Sequence, residues 1–295
     1  MLRCMSMIHK VPGCKKSYYS RLHLYKKEKS TKRSRRFTAF CGAAKSMSQK
    51  AQMKMAPLKL LCLHSFRTSG DIMSAQMAKY SNFAAAMTGL VTLHFLDGPR
   101  VCDAAAVAKV PAKIQEKLPP PYFEWWNARE DEAAGTGTVI YDDLDRTLAL
   151  LREAEQANGP FDGVLGFSQG GCVAHLAVLL QQRSSEPLFT SSPHFGIFLS
   201  CRLSRHQGHE DLVRSCTANP LDLASLIIYG GSDTEVPPAL TEELAATLDP
   251  ARQATIFFPD GGHRIPKFNE DQTSALRAFL ETQQHSIQDH RKEKE

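Results

Sequence analysis

The sequence has no long apolar runs, and its cysteines are not grouped. No apolar stretch reaches the roughly 18 residues that a membrane-spanning helix needs, so no membrane span is predicted. The eight cysteines are scattered without a Cys-x-x-Cys pair. That pattern argues against a disulfide scaffold or a thiolate zinc site and favours a reducing compartment. His206 and His209 have no acidic or cysteine partners at ligand spacing, so we predict no metal site and no cofactor.

Acidic residues are almost missing from the first 57 positions. Residues 1–57 hold 15 Lys and Arg and a single acid, Glu28, which gives a charge of +14. The other residues hold 21 basic and 30 acidic side chains, which gives −9 and no reason to expect nucleic-acid binding. Acid-poor leaders with Arg and Ser resemble transit peptides, and the alternatives are a disordered basic tail or upstream sequence included by a misplaced start codon. We predict an intracellular protein, cytoplasmic, or plastid or mitochondrial if residues 1–57 are a transit peptide.

Apolar runs and amphipathic patterns alternate after residue 57. Short apolar runs typical of strands in a parallel sheet cover residues 60–63, 91–96, 161–165, 195–199, 225–229 and 254–258. Helical patterns separate most of them and include residues 141–157 and 271–283. The alternation predicts an α/β fold, a mostly parallel, doubly wound sheet with helices on both faces. We expect this domain to span residues 58–283, with a charged tail at 284–295.

Residues 100–137 do not fit the alternation. They contain three consecutive prolines at positions 119–121, followed by an aromatic cluster of Tyr122, Phe123, Trp125 and Trp126. A segment of this length is too long for a simple connection. It predicts either a lid-like excursion over a site or a packed surface loop.

Residues 166–170, Gly-Phe-Ser-Gln-Gly, match the G-x-S-x-G pattern of a nucleophile elbow. An apolar run precedes them and a helical pattern follows, which is the strand-turn-helix context that the elbow requires. The tight turn needs small residues two positions before and after the serine, as Gly166 and Gly170 are. We therefore predict Ser168 as a nucleophile. The alternative is a glycine-rich turn in which Ser168 only caps the helix.

Two further predicted strands end in residues that suit this chemistry. Asp233 follows the strand at 225–229, and His263 follows the strand at 254–258. Ligands bind at the carboxyl ends of strands in such sheets, and the order serine, aspartate, histidine is that of α/β-hydrolases. Histidine activates the serine as a base, and the aspartate orients the histidine. Taken alone, Asp233 suits a turn and His263 an ordinary loop.

A tetrahedral intermediate also needs two N–H donors aimed at its oxyanion. We predict the backbone N–H of Gln169, the residue after the nucleophile, as one donor. The other is expected from the loop after the first strand, at Phe66.

These residues resemble the FSH family of serine hydrolases. The resemblance covers residues 58–283 and rests on residues 61–67, 95–97, 125–126, 159–171, 229–237 and 259–266. It implies a compact α/β-hydrolase fold and a Ser-Asp-His triad acting on carboxylic esters or acyl thioesters, which assigns Ser168, Asp233 and His263. One departure is Ser65, where the family usually has glycine after the first strand's histidine.

The favoured function is an esterase or thioesterase that forms an acyl-Ser168 intermediate on a small-molecule acyl ester or thioester. Trp125, Trp126 and Phe123, with Phe66, are then candidates for an apolar acyl pocket, and packing in the core is their alternative role. A hydrolase-fold protein that binds a small ligand with little turnover is the alternative function. Acyl transfer to an acceptor other than water is a third.

Overall fold

The computed structural model describes residues 55–131 and 137–292. The predicted basic leader, residues 1–57, therefore lies outside the described residues except for its last three. Among the described helices, none is both long and apolar enough to cross a membrane.

Ten strands and nine α-helices make up the described chain. The strands are β1 (Leu58–Leu63), β2 (Val91–Leu96), β3 (Arg100–Val101), β4 (Phe123–Glu124), β5 (Asn127–Glu130), β6 (Val139–Asp142), β7 (Gly163–Phe167), β8 (Phe195–Leu199), β9 (Ala224–Gly230) and β10 (Gln253–Phe258). The helices are α1 (Gly70–Ala75), α2 (Phe83–Ala86), α3 (Ala104–Ala108), α4 (Ala112–Lys117), α5 (Leu144–Asn158), α6 (Gln169–Arg183), α7 (Glu210–Ser215), α8 (Pro238–Ala245) and α9 (Glu270–Lys292).

Six strands form a central sheet in the order β10-β9-β8-β7-β1-β2. Every neighbouring pair in it is parallel. The strand that precedes the Gly-Phe-Ser-Gln-Gly turn, β7, lies inside the sheet between β1 and β8. All carboxyl ends of these parallel strands lie at one edge, so the loops that follow β1, β7, β8, β9 and β10 meet there.

Alternate residues of the strands enter two separate cores, one on each face of the sheet. On one face, Leu61 and Val164 pack with α5 and α6. On the other, Leu60 and Leu165 pack with α1 and α9. Because both faces are covered, the strands are apolar throughout, which is why they appear in the sequence as continuous runs. The doubly wound α/β architecture predicted from the sequence is therefore confirmed.

Residues 100–131 fold into short elements that the sequence did not predict. Strands β3 and β4 pair antiparallel, and β5 pairs antiparallel with β6. Tyr122 and Trp125 are almost completely buried, so this segment is anchored by its aromatic cluster.

Two predicted helix boundaries are wrong. The helix predicted from residue 141 begins at Leu144, because Tyr141 belongs to β6. The final helix continues through most of the predicted tail at 284–295, to Lys292. Ile287 is buried there, and Arg291 forms an ion pair with the buried Asp162 at 2.6 Å.

Candidate active site

Ser168 lies on a strained turn between β7 and α6. Its backbone has φ 55° and ψ −116°, a region that residues with a side chain rarely occupy. The turn is tight because a Cβ at Gly166 would overlap the carbonyl of Gly170, and a Cβ at Gly170 would overlap that of Leu63. The Ser168 side chain makes no capping hydrogen bond to α6. Its interpretation as a helix cap is therefore wrong.

The structure brings Ser168, His263 and Asp233 into one hydrogen-bonded chain. Nε2 of His263 lies 2.9 Å from Oγ of Ser168, and Nδ1 of His263 lies 2.8 Å from Oδ2 of Asp233. A carboxylate can only accept hydrogen bonds, so Nδ1 carries the imidazole proton and Nε2 accepts from the serine hydroxyl. The His263 ring also packs on Phe167 with the ring centroids 4.9 Å apart. This arrangement leaves the free lone pair of His263 directed at the hydroxyl.

Backbone hydrogen bonds fix the side chain of Asp233. Its side chain is fully buried, and Oδ1 accepts the backbone N–H groups of Glu235 and Val236 at 3.0 and 2.9 Å. The loops after β9 and β10 are also joined, because the N–H of Ser232 donates to the carbonyl of Gly261 at 2.9 Å. The aspartate and the histidine are therefore positioned by the same pair of strand ends.

His64 orders the loop that follows β1. Its Nε2 accepts the N–H of Gly98 at 2.9 Å, so Nδ1 carries the proton and donates to the carbonyl of Ser65 at 2.7 Å. Burial lowers the pKa of His64 to about 4, and the ring is therefore neutral at neutral pH. These bonds tie the loop after β1 to the end of β2.

Ser65 does not strain this loop. The described residue with a left-handed backbone here is Arg67, at φ 54°. Arg67 forms an ion pair with Glu124 at 2.9 Å and lies over the ring of Phe66, 4.5 Å from its centroid. The serine that replaces the family's glycine therefore needs no glycine-like conformation, and Phe66 is placed in the wall of the site.

Gln169 begins α6, so its backbone N–H has no helical carbonyl to which it can donate. Its side chain is hydrogen-bonded to the backbone of the tryptophan pair: Oε1 accepts the N–H of Trp125 and Nε2 donates to the carbonyl of Trp126, both at 3.0 Å. Trp125 in turn donates from Nε1 to the carbonyl of His64 at 2.8 Å. The hydroxyl of Thr147 donates to the carbonyl of Trp125. The residue after Ser168 thus connects the turn to the tryptophan pair.

Ser168 opens into a cavity of about 380 Å³. Its lining residues are Phe66, Trp126, Asn127, Ala128, Tyr141, Ser168, Gln169, Cys172, Arg202, Arg205, Glu235 and Val236. Trp126 stacks face to face on Tyr141 with centroids 4.4 Å apart. Of the aromatic residues predicted to line an acyl pocket, Trp126 and Phe66 line the cavity that contains Ser168.

Trp125 and Phe123 require a correction, since neither lines this cavity. Trp125 is completely buried and stacks on His64 at 5.0 Å. Phe123 also lies beside that histidine, with ring centroids 6.4 Å apart. The hydrogen bonds of Trp125 to both sides of the site fix it in the core.

A larger cavity of about 450 Å³ lies beside the His263 loop, between residues such as Tyr80, Ser200 and Tyr229. None of Ser168, Asp233 and His263 lines it. The larger cavity is therefore not the candidate site. The candidate site is the smaller cavity, which contains Ser168.

His206 and His209 lie with ring centroids 4.8 Å apart. Nδ1 of His209 is hydrogen-bonded to Oγ of Ser204 at 2.8 Å. Within residues 55–131 and 137–292, no three His, Cys, Asp or Glu side chains converge as they would around a metal ion.

A family model described as serine hydrolase (FSH1) matches residues 53–275. The chain belongs to this family. Esterase CG5412 of Drosophila melanogaster is 27% identical over 253 residues, which are 84% of this chain and 83% of the esterase. Esterase OVCA2 of Homo sapiens is 30% identical over 215 residues, 71% of this chain and 90% of the esterase. The solved acyl-protein thioesterase 2 of Zea mays is 14% identical, with a TM-score of 0.49, over 78% of this chain and 95% of that one.

The serine hydrolase family and the architecture agree. A parallel sheet with helices on both faces, and a Gly-x-Ser-x-Gly turn between a central strand and the following helix, is the α/β-hydrolase fold. The chain is therefore an α/β-hydrolase and a serine hydrolase.

The sequence analysis missed several residues of the cavity, above all Tyr141, Arg202 and Arg205. Arg202 comes three residues after the end of β8. The rule that found Asp233 and His263, that chemistry gathers where parallel strands end, would also have found it. Tyr141 carried no such signal, because it was assigned to a helix.

Proposed function

We propose that this serine hydrolase cleaves carboxylic esters or acyl thioesters through an acyl-Ser168 intermediate, with His263 as the base and Asp233 as its orienting partner. The observation that supports this is the continuous chain of hydrogen bonds from Asp233 through His263 to the hydroxyl of Ser168, at 2.8 and 2.9 Å. In such a chain the histidine accepts the serine proton, and the aspartate stabilises the imidazolium that forms.

In the first half-reaction, Oγ of Ser168 attacks the substrate carbonyl carbon while Nε2 of His263 takes the hydroxyl proton. The carbonyl oxygen becomes an oxyanion, which we assign to the N–H groups of Gln169 and Phe66. When the tetrahedral intermediate collapses, the bond to the leaving oxygen or sulfur breaks. His263 returns its proton to that atom, and an alcohol or thiol departs from the acyl-enzyme.

In the second half-reaction, water takes the place of the leaving group. His263 removes a proton from the water as its oxygen attacks the acyl-Ser168 carbonyl. Collapse of the second intermediate breaks the bond to Oγ and returns the proton to Ser168. A carboxylic acid is released, and the enzyme is restored.

The cavity suits a small acyl substrate. Its volume of about 380 Å³ falls in the range of small-molecule sites. Phe66, Trp126 and Tyr141 give it aromatic walls beside the nucleophile. These walls can contact an apolar part of the substrate next to the reacting carbonyl.

Active-site labelling tests the proposal. The full chain is treated with a fluorophosphonate, which phosphonylates an activated serine, and the mass increase is measured on the intact protein. We expect one label in the wild type and none in Ser168→Ala. Ser184→Ala is the matched control, since Ser184 lies at the other end of α6, and it should label like the wild type.

Two outcomes oppose the proposal. A folded wild-type protein that does not label lacks an activated serine, which favours the small-ligand binding protein. Labelling that persists in Ser168→Ala places the nucleophile elsewhere. A wild type that labels is then assayed with esters and thioesters of matched chain length, and transfer to an alcohol acceptor is measured beside hydrolysis.

A further inference from the structure

Two arginines line the cavity that contains Ser168. Arg202 and Arg205 follow the end of β8, and β8 is bound to the elbow because the N–H of Ser168 donates to the carbonyl of Leu199 at 3.0 Å. The backbone N–H of Arg205 also donates to the hydroxyl of Tyr141 at 2.6 Å. The segment that carries both guanidinium groups is therefore fixed to the nucleophile's own strand and to the cavity wall.

Neither guanidinium is neutralised by an ion pair within the described part of the chain. Among the described residues, no carboxylate forms an ion pair with Arg202 or Arg205, whereas the exposed Arg214 on α7 is paired with Asp211 at 2.8 Å. Nε of Arg202 is buried and has no hydrogen-bond partner in the described part of the chain. A buried donor without a partner is unfavourable, so this N–H is suited to a group that the protein does not itself contain.

The charges around the cavity favour an anion. Burial lowers the pKa of Arg202, and the positive charge of Arg205 lowers it further, which shows that the two cations repel each other. Burial raises the pKa of the Cys172 thiol, and the positive charges of both arginines act to lower it. Cys172 lies one turn of α6 after Ser168. The acids nearby are Glu235, which lines the cavity, and Glu210 and Glu243, which line a neighbouring cavity that both arginines also border. Among the described residues, none of the three forms an ion pair with Arg202 or Arg205. An arriving anion would relieve the repulsion between the arginines.

We propose that Arg202 and Arg205 bind a second, negatively charged group of the substrate, a carboxylate or a phosphate, next to the ester or thioester that Ser168 attacks. This rests on the proposed hydrolase function and makes it more specific. A guanidinium presents a planar fork of N–H donors that matches the oxygens of either group. Because both arginines and Ser168 line one cavity of about 380 Å³, the anionic group belongs close to the reacting carbonyl.

The test compares substrates that differ in one anionic group. For an acid on the acyl side, the wild type is assayed with the mono-4-nitrophenyl ester of suberic acid and with the same compound methylated at its free carboxylate. For an acid on the leaving-group side, octanoyl-4′-phosphopantetheine is compared with octanoyl-pantetheine. We expect kcat/KM to be about tenfold or more higher for the charged member of one pair, as a charge-assisted hydrogen bond predicts.

Variants then show whether the arginines cause the preference. In Arg202→Gln/Arg205→Gln the ratio of kcat/KM between the charged and the neutral substrate should fall to about one. Arg202→Lys keeps the charge without the fork and should keep part of the ratio. Arg214→Gln, a cation outside the cavity, should keep the wild-type ratio.

Each outcome is decisive. A wild type that hydrolyses both neutral substrates without preferring either charged one overturns the anion site and leaves the hydrolase function intact. A preference that survives in the double variant overturns the assignment to these arginines. A wild type that neither labels at Ser168 nor turns over any of the four substrates overturns both proposals.

Discussion

At the scale of single residues, the site depends on which atom carries each proton. Asp233 accepts two backbone N–H groups through Oδ1 and His263 through Oδ2. This leaves Nε2 of His263 unprotonated beside Ser168. An amide in place of the carboxylate would present an NH₂ group and favour the opposite tautomer of the imidazole.

We predict that Asp233→Asn lowers kcat/KM by about 10⁴ without unfolding the protein, because the wrong histidine tautomer cannot accept the serine proton. Steady-state kinetics with an activated ester measures the loss, and circular dichroism checks the fold. Asp260→Asn, an exposed residue of the neighbouring loop, is the control. Activity of Asp233→Asn within tenfold of the wild type would remove Asp233 from the mechanism.

A second residue-scale prediction concerns stability. Oγ of Ser225, fully buried in β9, has no hydrogen-bond partner among the described residues. Ser225→Ala should raise the free energy of unfolding by about 1 kcal/mol, since it removes an unsatisfied polar group. Thr241→Val is the contrast, because the buried Thr241 hydroxyl donates to the carbonyl of Cys201 at 2.8 Å. Urea denaturation should show a gain in the first variant and a loss in the second.

The sequence located Ser168, Asp233 and His263 because each follows a predicted strand, and strand ends converge in space. It did not separate Trp125 from Trp126. Two adjacent aromatic residues give the same sequence pattern whether a ring packs in the core or lines a cavity. What separates them is the contact of each ring: the Trp125 indole donates to the carbonyl of His64 and stacks on that histidine, whereas Trp126 stacks on Tyr141 in the cavity wall. Contacts of this kind have no signature in composition or spacing.

At the scale of elements, α6 carries two similar clamps. Near its start, the Gln169 side chain binds the backbone of Trp125 and Trp126. Near its end, Oε1 of Gln181 accepts the N–H of Phe189 at 2.8 Å and its Nε2 donates to the same residue's carbonyl at 3.2 Å. The first clamp lies beside Ser168, and the second lies at the opposite end of the helix.

We predict that Gln169→Ala and Gln181→Ala each lower the free energy of unfolding by about 1–3 kcal/mol, from two lost hydrogen bonds. Only Gln169→Ala should also lower kcat/KM, by about 10- to 100-fold, because the cavity wall at Trp126 is displaced. Paired urea denaturation and kinetics measure both effects. Equal activity loss in the two variants would mean that the clamp acts through stability alone.

Strands of the central sheet were predictable because burial on both faces makes them continuous apolar runs. Strands β3 and β4 contain two residues each, too few to show a period. The segment after β1 is not one continuous α-helix, since a π-helical turn at Gln76–Tyr80 lies between α1 and α2. At the other end of the chain, Ile287 is the buried apolar residue in the last part of α9 and is surrounded by polar residues in the sequence. The helix was therefore predicted too short.

At the scale of the whole molecule, several histidines are buried in the neutral state. Burial lowers the pKa of His64, His175 and His209 to about 4 each. An unfolded histidine has a pKa of about 6.5, so below that pH the unfolded chain binds these protons more readily than the folded one. The stability that these neutral histidines contribute to the folded state is fully present above about pH 6.5. It is lost progressively as the pH falls toward 4.

We predict that the free energy of unfolding falls between pH 7.5 and pH 5, by about 2 kcal/mol for each of His64 and His175. Urea denaturation at a series of pH values measures this dependence. His175→Gln should make it shallower, whereas His285→Gln, on the exposed side of α9, should not. Stability that is constant over this range would show that the buried rings do not resist protonation.

The organisation of the chain follows from the same contacts. We propose that the hydrolase domain begins a few residues before the boundary predicted at residue 58, since the carbonyl of Ala56 accepts a hydrogen bond from Gln284 on α9 at 2.7 Å. Hydropathy patterns cannot detect such a contact, because it uses a backbone carbonyl.

The chain contains two tryptophans, and both belong to the network around Ser168. Trp126 forms a wall of the cavity against Tyr141, and Trp125 stacks on His64 behind it. All of the protein's indole fluorescence therefore originates beside Ser168. Emission excited selectively through indole is an intrinsic optical reporter of this one place, so occupancy of the cavity can be followed in real time without an attached dye.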